Sequence, residues 1–281
     1  MTMDETPPAA GQPADPIGWP ERPGFDPSVA HIARVYDYWL GGKDNYAADR
    51  VAGDAAIEAY PYIAAGVRAN RAFLARVVRY LAGEAGIRQF LDIGTGIPTA
   101  SNTHEVAQAV APDSRVVYVD NDPVVLCHAR ALLTSGPEGA TAYIDADFRD
   151  VGKILADAGQ ILDFSRPVAI MLIAILHLID DDADPYGTTT KLISAVAPGS
   201  YLAISHLSSD IAAAARAEAT ERLRQLMHEK QTLRSRDEVA SFFTGLELVE
   251  PGLVRIPEWR PDYEAEAKSR SPMWGGVARK R

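Results

Sequence analysis

The 281-residue chain contains a single cysteine, Cys127, which excludes an internal disulfide. Cysteine and histidine residues nowhere have the spacing of a zinc site, and the sequence predicts no metal centre. Basic residues are also few. The chain has 28 Lys and Arg and 38 Asp and Glu, which gives a formal net charge of −10. A chain this acidic lacks the positive surface that binding to a phosphate backbone needs, so we expect no nucleic-acid partner.

Long apolar runs are missing as well. The longest spans residues 168–179 and is shorter than the roughly 20 residues of a membrane-spanning helix. The N-terminus has neither the basic region nor the apolar region of a signal peptide. We therefore expect a cytoplasmic protein with no membrane partner. Cys127 is flanked by apolar residues and is predicted to be a small buried side chain.

Three parts follow one another along the chain. Residues 1–24 are rich in proline and poor in large apolar side chains, which predicts a flexible tail. Residues 25–85 contain three helical patterns, interpreted as a helical cap or lid with a hinge at Gly41-Gly42. In residues 86–281 strands alternate with helices, which predicts a doubly wound α/β sheet.

The sheet is predicted in some detail. Its strands are expected at 89–93, 115–120, 141–145, 168–176, 200–206, 246–249 and 274–278. Helices are expected at 26–40, 47–59, 67–81, 102–110, 123–133, 151–158, 188–196 and 210–229, with another from 235. The continuous apolar character of 168–176 indicates a central parallel strand that is covered on both faces.

The first predicted strand of this sheet ends in a glycine turn. Asp92 is followed by Gly94, Thr95 and Gly96, and glycines here let the backbone approach a ligand closely. A dinucleotide fingerprint would need glycine or alanine where Thr99 stands, and a carboxylate at Asp92 would repel a pyrophosphate. The turn instead favours a ligand with an ammonium group, such as S-adenosylmethionine.

Acidic residues also follow the next two predicted strands. Asp120, with Asn121 after it, ends the second strand, where a carboxylate suits the two hydroxyls of a ribose. Asp147 and Phe148 follow the third strand, where an acid can meet the amino group of adenine. Because ligands bind at the carboxyl ends of parallel strands, these residues and the glycine turn predict a site for an adenosine cofactor.

Several segments resemble known proteins. Residues 92–96, 118–123 and 147–149 resemble class I S-adenosylmethionine-dependent methyltransferases. The run from Tyr36 to Gly42 (YDYWLGG) is similar to one group among them, the actinobacterial S-adenosyl methyltransferase family, long described as a domain of unknown function. Further similar segments are 70–71, 94–99 and 274–280, so the resemblance extends from about residue 26 to the C-terminus.

The resemblance implies a Rossmann-like sheet of seven strands in the order 3-2-1-4-5-7-6, with the last strand antiparallel. The cofactor-binding residues that it implies are Asp92, Gly94, Thr95, Gly96, Asp120, Asn121, Asp147, Phe148 and Ala174. Among these, the glycine turn and Ala174 would hold the methionine part, Asp120 the ribose, and Asp147 with the backbone amide of Phe148 the adenine.

The sequence thus predicts a methyltransferase that acts on a small-molecule acceptor and releases S-adenosylhomocysteine. His177 is the candidate general base; the alternative is a core histidine whose ring nitrogens are satisfied. A second hypothesis is a non-catalytic sensor or regulatory protein that binds S-adenosylmethionine. A nicotinamide-dependent oxidoreductase is disfavoured by Thr99 and Asp92. The sequence indicates neither the acceptor nor the oligomeric state.

Overall fold

The computed structural model describes residues 26–132, 138–227 and 230–281. The predicted tail, 1–24, lies outside the described residues. The α-helices are α1 (Ile32–Leu40), α2 (Ala47–Ala59), α3 (Ile63–Gly83), α4 (Thr103–Val110), α5 (Pro123–Leu132), α6 (Val151–Ala158), α7 (Pro185–Ser194), α8 (Ala213–Met227), α9 (Arg236–Ser241) and α10 (Glu264–Ala267). The strands are β1 (Gln89–Ile93), β2 (Arg115–Asp120), β3 (Ala140–Asp145), β4 (Ala169–Ile173), β5 (Tyr201–Leu207), β6 (Glu247–Leu248), β7 (Val254–Arg255) and β8 (Met273–Arg279).

The strands form one mixed sheet in the order β3-β2-β1-β4-β5-β8-β6. Strands β1 to β5 are parallel, and β8 runs antiparallel to β5 and β6. The predicted fold and strand order are therefore confirmed, with β8 as the antiparallel last strand. The two-residue strand β7 also pairs with β8 and was not predicted, because so short a segment carries no alternation pattern.

Helices cover both faces of this sheet. On one face, side chains of α6, α7 and α9 such as Ile154, Leu192 and Val239 pack against the strands. On the other face, α3 and α4 contribute Phe73 and Ala107. Strand β4 is buried at every position, which explains why its sequence is apolar throughout.

A third cluster of buried side chains lies among α1, α2 and α8. It includes Val35 and Trp39 from α1, Ala56 from α2, and Leu223 and Met227 from α8. Helix α3 mainly covers the sheet, and α8, from the C-terminal half of the chain, packs with the first two helices. A helical layer built by both halves of the chain therefore lies beside the sheet.

Two predicted boundaries near the N-terminal helices can be compared with the structure. Helix α1 begins at Ile32 rather than at Asp26, because Asp26 Oδ1 accepts a hydrogen bond of 2.8 Å from the backbone N–H of Ser28 and so forms a turn. The helix ends where predicted, at Gly41, whose φ of 83° places it in the left-handed region.

The fourth strand is shorter than predicted. It ends at Ile173, because Ala174 has a φ of 59° and the chain then forms a 3₁₀ turn at Leu176–Leu178. His177 consequently lies in this turn and not on the strand. The prediction that Cys127 is buried was also wrong, since its side chain is exposed.

Candidate functional site

A cavity of about 430 Å³ lies at the carboxyl ends of β1, β2 and β4. The predicted site residues that line it are Gly94, Thr95, Gly96, Asp120, Asn121, Asp147 and Ala174. The opposite wall comes from the first helix and the residue before it: His31, Ile32, Ala33, Tyr36, Asp37 and Leu40. The structure therefore brings most of the predicted residues together and covers them with α1.

The glycine turn forms the floor of this cavity. Gly94 and Gly96 have φ values of 77° and 64°, in the left-handed region that favours glycine. A Cβ atom on Gly94 would lie 2.6 Å from Cγ1 of Ile175. The turn therefore needs glycine at Gly94 for its backbone conformation and also for space.

Asp92 lies beside the cavity, in a narrow crevice that Arg71 and Tyr118 also line. Only 4% of Asp92 is exposed, and its Oδ2 accepts a hydrogen bond of 2.6 Å from Thr103 Oγ1. Burial raises the pKa of this carboxyl group to about 6. A cationic group of a ligand would stabilise its ionised form.

Arg71 was not predicted as a site residue. It extends from α3 and donates from Nη2 to the carbonyl oxygens of Ala100 and Ser101, at 3.2 and 3.0 Å. Its buried Nε has no hydrogen-bond partner among the described residues, and the side chain lines both the cavity and the crevice of Asp92. A carboxylate and a guanidinium thus lie at one end of the site, the pair that complements the ammonium and carboxylate groups of an amino acid.

Asp120 links two loops at the floor of the site. Its Oδ2 accepts a hydrogen bond of 2.9 Å from the N–H of Gly96, and its Oδ1 accepts from the N–H groups of Asn121 and Asp122. Burial raises the pKa of the carboxyl group, and these backbone bonds oppose that rise. Oδ2 keeps a lone pair, so Asp120 can hold the glycine turn and still accept from a ligand hydroxyl.

Three acids lie at the end of β3 or just after it: Asp145, Asp147 and Asp150. Only Asp147 is among the residues that line the cavity. Asp145 is exposed, and Asp150 accepts from the N–H of Lys153 at the start of α6. Arg149 donates from Nη2 to Oδ2 of Asp147 at 2.6 Å, and this hydrogen bond lowers the pKa of the carboxyl group. Arg149 lines the cavity too, which the sequence did not suggest.

Besides Asp92, two predicted site residues have side chains that do not line the cavity. The ring of Phe148 belongs to the core on one face of the sheet, so its predicted part in the site is limited to the backbone amide. His177 is buried and lines a smaller cavity next to the first. Burial lowers the pKa of His177 well below its ordinary value, and its Nδ1 has no hydrogen-bond partner among the described residues.

A contact at the mouth of the cavity joins α1 to the loop after β2. His31 Nδ1, at the start of α1, lies 2.6 Å from Oδ2 of Asp122. Burial alone would raise the pKa of Asp122, but the hydrogen bond and charge of His31 lower it below its ordinary value. This contact holds the first helix over the cavity.

The S-adenosyl methyltransferase family model matches residues 20–281, nearly the whole chain. The chain belongs to the S-adenosyl methyltransferase family. This confirms the resemblance drawn from the sequence, and it makes S-adenosylmethionine the cofactor of the protein. The curated proteins contain no match to the chain.

Solved structures agree with this family. A protein of the DUF574 family from Streptomyces avermitilis is 48% identical, has a TM-score of 0.88, and is matched over 91% of this chain and 99% of its own. A protein from Thermobifida fusca, described as a candidate methyltransferase, is 45% identical with a TM-score of 0.84 over 94% of this chain and 100% of its own. An S-adenosylmethionine-dependent methyltransferase from Anabaena variabilis shares the fold. It is 11% identical, with a TM-score of 0.50, and is matched over 89% of this chain and 96% of its own.

The family's cofactor fits the residues of the cavity. The unpartnered Nε of Arg71 and the buried carboxylate of Asp92 suit its amino-acid end. The turn of Gly94, Thr95 and Gly96 lines the same cavity, so a ligand there meets the backbone of the turn. Within the described ranges, no helix is long and apolar enough to cross a membrane.

Proposed function

We propose that this family member transfers a methyl group from S-adenosylmethionine to a small-molecule acceptor. One observation carries the proposal: Asp120, Asp147 and Arg71 line a cavity that α1 covers, and Asp92 lines the crevice beside it, which Arg71 also lines. The chain is acidic, with a net charge of −10, which supports a small acceptor rather than a nucleic acid.

Each part of the cofactor has proposed partners. Asp92 would bind its ammonium group and Arg71 its carboxylate, with the turn of Gly94, Thr95 and Gly96 beside them. Asp120 would accept from the ribose hydroxyls. The adenine would lie against Asn121, Asp147 and the backbone amide of Phe148, while Ala174 would line the methionine side, as the sequence predicts.

When bound, the cofactor supplies a methyl group on a sulfonium, whose leaving thioether needs no acid. The protein therefore contributes mainly by positioning the reactants and excluding water. We assign that second role to α1, a lid that ends at Gly41 and is held at its other end by the contact of His31 with Asp122. The general-base role of His177 stays a prediction, and its lowered pKa makes the imidazole a weak base that is neutral at physiological pH.

Calorimetric titration with S-adenosylmethionine, S-adenosylhomocysteine and NADH tests the proposal. We expect micromolar binding of the first two ligands and none of NADH. Asp120→Ala should weaken this binding at least tenfold, whereas Asp145→Ala should not, because Asp145 is exposed at the end of the next strand and outside the cavity lining. Binding of NADH in place of both sulfur-containing ligands would overturn the proposal.

Two further experiments test the contact with the ribose and the turnover of the cofactor. Asp120 also accepts a hydrogen bond from Gly96, so Asp120→Ala could weaken binding by disturbing the glycine turn. A change in the ligand avoids this ambiguity. The wild-type protein should bind adenosine more tightly than 2′,3′-dideoxyadenosine, which lacks the ribose hydroxyls. Turnover is tested by incubating the protein with methyl-labelled cofactor and a cell extract. Tight binding without any labelled product would support the alternative of a non-catalytic sensor.

A further inference from the structure

A second, smaller cavity adjoins the cofactor cavity. Its volume is about 60 Å³, and Ile32, Tyr36 and Ala174 line both spaces. One water needs roughly 10–15 Å³, and an engineered cavity of about 150 Å³ holds benzene. The second cavity therefore has room for a polar group of a few atoms, placed next to the methionine side of the proposed cofactor site.

Three buried polar atoms belong to side chains that line this second cavity. They are Nε of Arg216, Nδ1 of His177 and Oε1 of Gln231, and none of them has a hydrogen-bond partner among the described residues. Buried polar atoms are nearly always satisfied, and leaving one unpaired destabilises the folded state. All three side chains line one small cavity whose other lining is mainly apolar, which indicates a site for a polar ligand group.

Arg216 determines the charge of that group. Its side chain lies on α8, is 4% exposed, and forms no ion pair with a described Asp or Glu; its guanidinium lies 5.6 Å from the centre of the Tyr60 ring. The other buried arginines of the described chain, Arg34, Arg76 and Arg234, each pair with a carboxylate. Burial lowers the pKa of Arg216 to about 10, so the group is still charged at neutral pH. A buried cation without a counter-charge favours an anionic ligand.

The carboxylate of the cofactor is not the anion that Arg216 lacks. Arg71 lines the cofactor cavity and the crevice of Asp92, where the amino-acid end is proposed to bind. Arg216 lines the second cavity and not the first, although the two cavities share Tyr36 and Ala174. Two arginines in two adjoining cavities suit two anions, one on the cofactor and one on the acceptor.

We propose that the second cavity binds a carboxylate group of the methyl acceptor. Arg216 binds the carboxylate by charge-assisted hydrogen bonds, and the neutral imidazole of His177 donates a further hydrogen bond from Nδ1 to the same group. The rest of the acceptor passes Ile32, Tyr36 and Ala174 toward the cofactor. The substrate class is thus a small carboxylic acid methylated at another atom; this assignment rests on the proposed function.

The test compares propionate with its neutral isostere propionamide. Binding of each to the wild-type protein is measured by ligand-observed nuclear magnetic resonance, with and without saturating S-adenosylhomocysteine. We expect propionate to bind about tenfold or more tightly than propionamide, because the guanidinium discriminates by charge. Equal binding of the two probes, or no binding of either, in both states would show that the cavity does not select an anion and would overturn the proposal.

Arg216→Gln should remove the preference for propionate. Arg224→Gln is the matched control, since Arg224 lies on the same helix but is exposed and pairs with Glu221 at 2.6 Å. It should keep the preference. An Arg216→Gln variant that still prefers propionate would contradict the proposal, and if this variant does not fold, the wild-type comparison of the two probes decides.

Calorimetry with S-adenosylhomocysteine separates this inference from the proposed function. Arg216→Gln should bind that ligand as the wild type does; a loss of affinity would assign Arg216 to the cofactor's own carboxylate and overturn the inference. If the wild type does not bind S-adenosylhomocysteine but still prefers propionate, the proposed function fails and the anion site stands. If it binds S-adenosylhomocysteine without preferring propionate, the inference alone fails.

Discussion

Thr103 Oγ1 donates a hydrogen bond of 2.6 Å to Oδ2 of Asp92, and both residues are buried. The bond joins the end of β1 to the first turn of α4, across the glycine turn. This hydrogen bond offsets only part of the cost of burying the ionised carboxylate, because burial still raises the pKa of Asp92 to about 6. Above that pH the folded protein holds a buried negative charge that the cofactor's ammonium group would neutralise.

Asp92→Asn should make the cofactor-free protein more stable at pH 7 and weaken its affinity for S-adenosylhomocysteine at least tenfold. An unfolded aspartate has a pKa near 3.9, below the folded value of about 6, so the folded state binds the proton more tightly. The wild-type free energy of unfolding should therefore fall as pH rises from about 4 to about 6, by up to about 3 kcal/mol. Thermal and denaturant unfolding between pH 4 and pH 8 measures this dependence, which the variant should lack.

Asp145→Asn is the control for this experiment, since Asp145 is exposed outside the cavity. It should change neither the affinity nor the difference in stability between pH 4 and pH 6. Lower stability of Asp92→Asn at pH 7 would contradict the prediction, because it would mean that the charged carboxylate stabilises the turn.

His31→Ala should speed dissociation of S-adenosylhomocysteine several-fold, because it removes the 2.6 Å contact with Asp122 that holds α1 over the cavity. Tyr38→Phe is the matched control. It also removes one hydrogen bond of α1, which Tyr38 Oη donates to Oδ1 of Asp54 at 2.7 Å. This hydrogen bond is exposed and does not involve the loop after β2. Stopped-flow displacement measures both rates, and equal rates in the two variants would argue against a lid role for α1.

The positions of most strands could be predicted because each signal is local, whereas their order in the sheet was implied by the resemblance to the family. Strands β1 and β2 are short apolar segments that end at a glycine turn or an acid, and their predicted bounds match the structure. The end of β4 could not be predicted in this way. The apolar run continues to residue 179, and the change of direction occurs at Ala174, which adopts a left-handed conformation without being glycine.

The roles proposed for Arg71 and Arg216 depend on contacts between distant parts of the chain. Arg71 reaches from α3 to the loop after β1, and Arg216 lies on α8, which packs with helices from the other half of the chain. In the sequence, both are ordinary basic residues in helical segments. What sets them apart, a buried guanidinium nitrogen without a partner, exists only once the helices have packed.

Arg76→Ala should lower the free energy of unfolding by about 3–5 kcal/mol, because it leaves a buried carboxylate without its partner. Arg76 pairs with Glu266 and also donates from Nε to the carbonyl oxygen of Trp259 at 2.9 Å, which ties α3 to the C-terminal segment. Arg79→Ala, one turn along the helix, should cost less than about 1 kcal/mol, since its pair with Asp262 is exposed. Urea unfolding of both variants gives the comparison, and losses of equal size would contradict it.

Gly94→Ala should lower both stability and cofactor affinity, whereas Gly86→Ala should lower stability alone. Both glycines have positive φ values, 77° and 70°, so each substitution strains the backbone by about 1–2 kcal/mol. At Gly94 the new Cβ would also lie 2.6 Å from Cγ1 of Ile175, which lines the cofactor cavity, but at Gly86 it would meet no atom within 4 Å. Calorimetry with S-adenosylhomocysteine should therefore show at least a tenfold loss for Gly94→Ala and wild-type affinity for Gly86→Ala. Equal affinity of the two variants would mean that Ile175 can move aside without disturbing the site, so that the close approach at Gly94 serves the fold rather than the cofactor.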